Sequence, residues 1–216
     1  MSQQGLTGNR IVLLSIIGLP VTMILAATWL WYFVARGDID IVDMLGTSNH
    51  GTLLNPPIQL VDQPFENQFG AKAKFLSDKH QWTLVIPVPA QCDAQCVSTL
   101  YTTRQIHVGL GKEFGRVRRV FVSSETVDAD APVPQVQGEI ESATAANLGS
   151  YLEVQHKGMP LLVLNSDSFD ALFGDISLGT WFLADPAGWM MMSFDLGTHY
   201  KDVTSDLKFL LKNSGD

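Results

Sequence analysis

The feature that most constrains this chain is an uncharged run of 24 residues from Ile11 to Val34. As a helix rising about 1.5 Å per residue it is about 36 Å long, enough to cross a hydrocarbon layer of about 30 Å with some tilt. Pro20 lies in its first half, where a membrane helix tolerates a kink. Trp29, Trp31 and Tyr32 gather at its C-terminal end, and such amphipathic rings favour the lipid–water boundary. A cleaved signal peptide has an apolar core of about 7–15 residues and small residues at its cleavage site. Here Trp-Leu-Trp-Tyr-Phe fills that place, and no cysteine follows the run to carry a lipid. The run is therefore read as a retained single-pass anchor.

Arg10 and Arg36 flank the run symmetrically, but the ten-residue tail before it holds no acid, whereas Asp38, Asp40 and Asp43 follow it. Positive charge stays on the cytoplasmic side. The expected arrangement is a cytoplasmic tail over 1–10, a transmembrane helix over 11–34, a stalk over 35–57 and a soluble domain over 58–216. A bacterial inner membrane with the domain in the periplasm suits it. After the first 36 residues the chain carries twelve basic and 22 acidic residues, a net of −10. Phosphate binding needs a basic face, so nucleic acid is excluded as a partner and docking of the domain on anionic lipid is disfavoured. A chain of this length buries a core without disulfide support, so two cysteines are not a scaffold.

In the stalk, Thr47-Ser48-Asn49-His50-Gly51 and Asn55-Pro56-Pro57 read as turns and breakers. Ile58–Val61 and Lys74–Leu76 read as an opening hairpin. Trp82–Val88 is an apolar, β-branched run of the kind found in buried strands. After it come Cys92 and Cys96, then a helix to about Gly111 with Val97, Leu100, Tyr101, Arg104 and Val108 at spacings of three and four. A second apolar strand follows over Val117–Ser123. This β–α–β unit requires parallel strands and a right-handed crossover. Residues 124–140 read as a loop, Ile140–Val154 as a helix and Pro160–Asn165 as a strand. Thr180–Ala184 and Met190–Phe194 flank the turn Asp185-Pro186-Ala187-Gly188, which predicts a hairpin. A helix over Tyr200–Lys212 closes the chain. That order defines an α/β fold, a thioredoxin-like domain behind one N-terminal transmembrane helix.

Cysteine chemistry needs a thiolate, and a helix N-terminus stabilises one. Cys92 sits where the strand hands over to the helix, and Cys96 lies one turn on. Side chains four apart on a helix stand about 5–6 Å apart at Cβ, so a disulfide requires Cys92 to bend in from a non-helical position. Two such thiols can cycle between dithiol and disulfide, or bind a soft metal such as Cu(I). The plainer alternatives are a structural disulfide or two buried thiols.

The strand Trp82–Val88, the Cys92-x-x-x-Cys96 motif, the helix after it and the Asp185-Pro186-x-Gly188 hairpin resemble the SCO family of cytochrome c oxidase assembly proteins. The resemblance implies a single-pass, thioredoxin-like protein that matures the oxidase copper centre as a copper chaperone or thiol–disulfide reductase. It implies Cys92 and Cys96 as the working residues, Cu(I) as the metal, and oxidase subunits or assembly factors as partners. Two positions depart from the family. Val97 stands where proline usually follows the motif, and the family's copper histidine falls near Ser177, with no histidine between His156 and His199. The chain thus reads as a divergent member without that ligand.

Among the other histidines, His107 lies eleven residues after Cys96, about 16 Å along the helix, too far to share a metal with the pair. His80 belongs to the far end of the strand, His50 to the stalk, and His199 precedes the last helix. His156 is the best remaining candidate ligand. Met190, Met191 and Met192 are read as core, with Met190 and Met192 on one face. Arg116, Arg118 and Arg119 are read as a solvated strand end.

Two functions follow. One is an accessory factor for oxidase assembly acting through Cys92 and Cys96. The other is a membrane-anchored interaction module whose cysteines form a structural disulfide. A general disulfide oxidoreductase ranks third, because three residues rather than two separate the cysteines and no proline precedes the strand at Gly179-Thr180.

Overall fold

A computed structural model describes residues 4–36, 49–89, 91–174 and 176–214, in two units, 1–48 and 49–216. In the first unit, helix α1 spans Gln4–Ala35 with Pro20 inside it. Its segment Val12–Phe33 has a mean hydropathy of 2.1 and is long and apolar enough to cross a membrane. The large apolar side chains from Val12 to Tyr32 are exposed. Thr22 and Thr28 donate their hydroxyls to the Leu19 and Ile24 carbonyls at 2.9 and 2.8 Å. Those donors are therefore satisfied within the helix, as an apolar surround requires. Residues 37–48, most of the expected stalk, lie outside the described residues.

The second unit is built on a six-stranded sheet in the order β1-β6-β5-β2-β3-β4. The strands are β1 Thr52–Gln59, β2 Trp82–Val88, β3 Val117–Ser123, β4 Leu161–Val163, β5 Trp181–Ala184 and β6 Trp189–Phe194. Strands β2, β3 and β4 run parallel, with Val85 opposite Val120 and Val122 opposite Leu162. Helix α2, Ala94–Gly109, is the crossover from β2 to β3. Strand β5 is antiparallel to β2, and β6 is antiparallel to β5. In the turn between them the Asp185 carboxylate accepts from the Ala187 and Trp189 amides at 2.9 and 2.8 Å. Gly188 adopts φ +87° there, and a Cβ on it would meet Val61 at 2.6 Å, so the turn demands glycine.

Side-chain alternation gives the sheet two cores. Trp82, Leu84, Ile86 and Val88 pack with Val97, Leu100 and Ile106 of α2 and with Val203, Leu207 and Leu211 of the last helix. Val85, Val120, Val122 and Phe182 pack on the other face with Phe65, Phe75, Phe169 and Phe173. Met190 belongs to this second core and Met192 to the first. The two do not share a face, because the β5–β6 register shifts between Leu183 and Ala184. One extra residue, Met191, reverses the alternation, as a bulge does.

The structure departs from the sequence reading in five further places. Thr52–Gln59 is a strand paired antiparallel with β6, despite its prolines. Pro56 and Pro57 fall where the register shifts, on an edge strand, and there a missing N–H breaks no ladder. The expected hairpin of Ile58–Val61 with Lys74–Leu76 does not form; Glu66 instead bridges to Lys72 and to Val163 of β4. Ile140–Val154 is two helices, α3 Ile140–Thr144 and α4 Leu148–Gln155, since the Asn147 and Ser150 side chains form a capping box that starts a new helix. The Pro160–Asn165 strand shortens to Leu161–Val163, because Asn165 accepts from the Ser168 amide and opens helix α5, Ser166–Phe173. A 3₁₀ turn, Gly111–Arg116, follows α2. The final helix α6, Tyr200–Asn213, stands as expected.

Candidate functional site

Strand β2 delivers the chain to the start of α2, where Asp93 is the N-cap and its carboxylate accepts the Cys96 amide at 2.9 Å. Cys96 therefore lies in the first helical turn, and Cys92 precedes the helix. The two form a disulfide with their Cα atoms 5.1 Å apart. Cys96 is buried among the side chains of the first core, whereas Cys92 is half-buried. A small recess of about 30 Å³ adjoins them, lined by Pro87, Gln91, Asp93, Cys96, Leu178 and Gly179 among others. That is room for about one water molecule. Gly179 has φ +85°, and a Cβ on it would meet Leu196 at 2.9 Å.

The loop before β5 thus brings Leu178 and Gly179 beside the pair. Ser177, where the resemblance places a copper histidine, pairs its hydroxyl with that of Thr180 at 3.1 Å. It lines a different cleft, shared with His50, Asp195 and Thr198. Among the described residues no three His, Cys, Asp or Glu side chains are grouped to hold a metal ion. The donors at the junction are two sulfurs joined to each other.

The histidines are placed as follows. His107 stacks on Phe114 with ring centroids 3.9 Å apart, and burial pushes its pKa down. His199 is exposed and accepts from the Lys201 amide as the N-cap of α6. His50, whose reach the sequence left open, pairs Nδ1 with the Asp206 carboxylate of α6 at 2.9 Å, and its amide donates to the same group at 2.8 Å. That contact raises the His50 pKa. His156, the best remaining ligand candidate, is buried with Nδ1 against Arg119 Nη1 at 2.9 Å. Burial, together with the Arg119 and Arg104 charges, pushes its pKa down to about 3.

The arginines correct the solvated strand end. Arg116 donates to the Leu211 and Ser214 carbonyls at 2.7 and 3.0 Å, closing the C-terminus of α6. Arg118 lies over the Phe75 ring, donates to the Phe75 carbonyl and reaches the Thr83 hydroxyl at 2.9 Å. Arg119 is 8% exposed, and burial lowers its pKa to about 10. Beside it Tyr151 donates to Glu139 at 2.5 Å; burial raises the pKa of both groups. Sequence reasoning missed this buried group, and its one signal was an arginine in the middle of an apolar strand.

A parallel β2–α2–β3 unit, an antiparallel β5–β6 pair, a closing helix and a cysteine pair at the first strand–helix junction define a thioredoxin-like domain. The family profile described as "Transmembrane-like, thioredoxin-like, C-terminal domain" matches residues 82–163. Apo Sco1 from Thermus thermophilus superposes with a TM-score of 0.51 at 18% identity, covering 76% of this chain and 97% of that one. Yeast Sco1 superposes with a TM-score of 0.50 at 14% identity, covering 79% and 99%. At such identities the likeness is one of fold. No curated protein matches the chain in sequence.

Proposed function

We propose that this chain is a membrane-anchored accessory factor in respiratory cytochrome c oxidase assembly that works by thiol–disulfide exchange at Cys92 and Cys96. The observation that carries this is the disulfide at the β2–α2 junction, with one sulfur half-buried and the other in the core. In the exchange a partner thiolate attacks the more accessible Cys92 Sγ, the S–S bond breaks, and Cys96 leaves as a thiolate. The first turn of α2 stabilises that charge through its dipole. A second partner thiol then releases Cys92, so two electrons and two protons enter this chain as the partner forms its own disulfide. The oxidase role rests on the sequence resemblance to the SCO family together with the thioredoxin-like fold. On this reading residues 11–34 cross a bacterial inner membrane, 1–10 stay in the cytoplasm and the domain faces the periplasm, where oxidase subunits or assembly factors are the partners.

The test is replacement of both cysteines by serine in cells. Oxidase activity is expected to fall with the protein level unchanged, and full activity would overturn the reading. A redox titration separates it from the interaction module: exchange requires a potential above about −300 mV, and a structural bridge lies below that. Cu(I) as cargo has one favouring feature, since the reduced pair offers two soft thiolates. Titration of the reduced protein with Cu(I) should then show binding that Cys92→Ser abolishes. A C-terminal reporter active only in the cytoplasm would overturn the orientation.

A further inference from the structure

An open groove of about 1,000 Å³ runs between α2 and α6. Tyr101 of α2, Leu196 of the β6–α6 loop and Tyr200 at the start of α6 give it an apolar and aromatic wall. Leu196 and Tyr200 are exposed, and Tyr101 is half-buried. Lys201 and Lys208 supply its charge, with His199 beside them, and among the described residues that line it none is acidic. Both lysines are exposed. Among the described residues no carboxylate lies within ion-pair distance of either one. Asp202, the neighbour of Lys201 in the chain, faces His50 at 3.7 Å instead. After its first 36 residues the chain carries 22 acidic and twelve basic residues. The groove therefore reverses the charge of the surface around it, and such a local field selects an anionic partner.

The groove also reaches the disulfide. Leu196 packs on Gly179 so closely that a Cβ there would meet it at 2.9 Å. Gly179 in turn lines the recess beside Cys96. A chain that lay along the groove would thus pass from Lys208 and Lys201 to the edge of the reactive pair. The two lysines stand seven residues apart on α6, two turns along one face and about 10 Å along its axis. An extended segment covers that length in three residues at about 3.4 Å each.

We propose that this groove docks an acidic segment of the protein that exchanges with the disulfide, two carboxylates three residues apart meeting Lys201 and Lys208 and the apolar side chains between them resting on Tyr101, Leu196 and Tyr200. The inference rests on the thiol–disulfide exchange proposed above and adds the chemistry of the partner. An anionic bilayer is a poorer occupant, because the rest of the domain repels it.

The test uses the full chain in phosphatidylcholine nanodiscs, with opening of the disulfide followed by alkylation and mass spectrometry. The probes are the end-blocked peptide Cys-Gly-Glu-Leu-Tyr-Glu and its uncharged counterpart Cys-Gly-Gln-Leu-Tyr-Gln. Two peptide thiols are oxidised to one disulfide as Cys92 and Cys96 take up two electrons and two protons. Rates are taken relative to dithiothreitol, which is too small to span the groove. The double variant Lys201→Gln/Lys208→Gln should slow the acidic peptide about fivefold, the effect of two exposed ion pairs, and leave the uncharged peptide as in wild type. Lys74→Gln/Lys79→Gln removes the same charge from exposed positions outside the groove and should slow neither. If both peptides open the bridge but the acidic one is not slowed, or is slowed equally by the two double variants, the docking is overturned and the exchange stands. A bridge that neither peptide opens would overturn the exchange and the docking with it. A preference lost when the discs contain phosphatidylglycerol would give the groove to anionic lipid, and one lost as protein concentration rises would give it to a second copy; either result overturns the proposal.

Discussion

On one face of the sheet five phenylalanines, Phe65, Phe75, Phe169, Phe173 and Phe182, pack around Val85, Val120 and Val122. On the other, under α2 and α6, the apolar core surrounds a disulfide and shares its space with Arg119, Glu139, His156 and Asp206, all nearly fully buried. Arg118, the charged neighbour of the phenylalanine face, is only half-buried. The first face is held by dispersion and the loss of apolar surface to water, which tolerate no titration. The second is held partly by buried hydrogen bonds and charges, whose strength depends on protonation and on each partner being present. The face that carries the disulfide is thus also the one whose buried polar groups respond to protonation.

The sharpest way to break that contrast is to damage each face in turn. Phe182→Ala on the phenylalanine face should cost about 3–5 kcal/mol in denaturant unfolding, because Phe173 and its neighbours cannot close the cavity. The potential of the disulfide should not move.

On the polar face, acid should act where it does nothing to the first. Burial and the Arg119 and Arg104 charges push the His156 pKa down to about 3 in the folded chain, against about 6.5 when unfolded. The unfolded chain therefore binds the proton first as pH falls, and stability declines between those values by up to about 1.4 kcal/mol per pH unit. Glu139, raised by burial, works in the opposite direction. The measurement is therefore the difference between wild type and His156→Gln, whose amide oxygen still accepts from Arg119. The variant should lose about 2–3 kcal/mol less between pH 6.5 and 4.5. Parallel unfolding curves would show that His156 is not the sensor.

Smaller effects sharpen the picture at the junction. Replacing Cys92 and Cys96 with serine opens a very short loop, and loop entropy sets the cost at about 2 kcal/mol. A larger loss would mean that the disulfide is mainly structural. The smallest effect is expected from Asp93→Asn. Asparagine caps the helix equally well, but the negative charge beside the nascent thiolates is gone. Charges at a helix end contribute about 0.3–1 kcal/mol, so the reduced form gains and the potential should rise by roughly 10–20 mV. A fall would reverse the assigned electrostatics.

The locally coded parts of this protein were legible. Strand β2, helix α2, strand β3, the Asp185–Gly188 hairpin and α6 follow from spacing of apolar residues and from turn chemistry within a few positions. The cysteine pair was placed by the same logic. Strand β1 was not legible, because its prolines read as breakers and its pairing with β6 lies well over a hundred residues away. Helix α5 announced itself only through the Asn165 cap. The alternation of Met190 and Met192 failed at a bulge that only the β5–β6 register imposes.

By itself the sequence determined that one helix is long and apolar enough to span a membrane, that a β–α–β unit carries two cysteines at its first junction, and that the domain is acidic. Those properties depend on composition and on periods of 2 and 3.6 residues, which act along the chain. Only the tertiary structure decided what the remaining polar residues do. Arg119 meets His156 across 37 positions and His50 meets Asp206 across 156. No local period records such separations; they exist because folding brings distant groups together where water is excluded and each must find a partner.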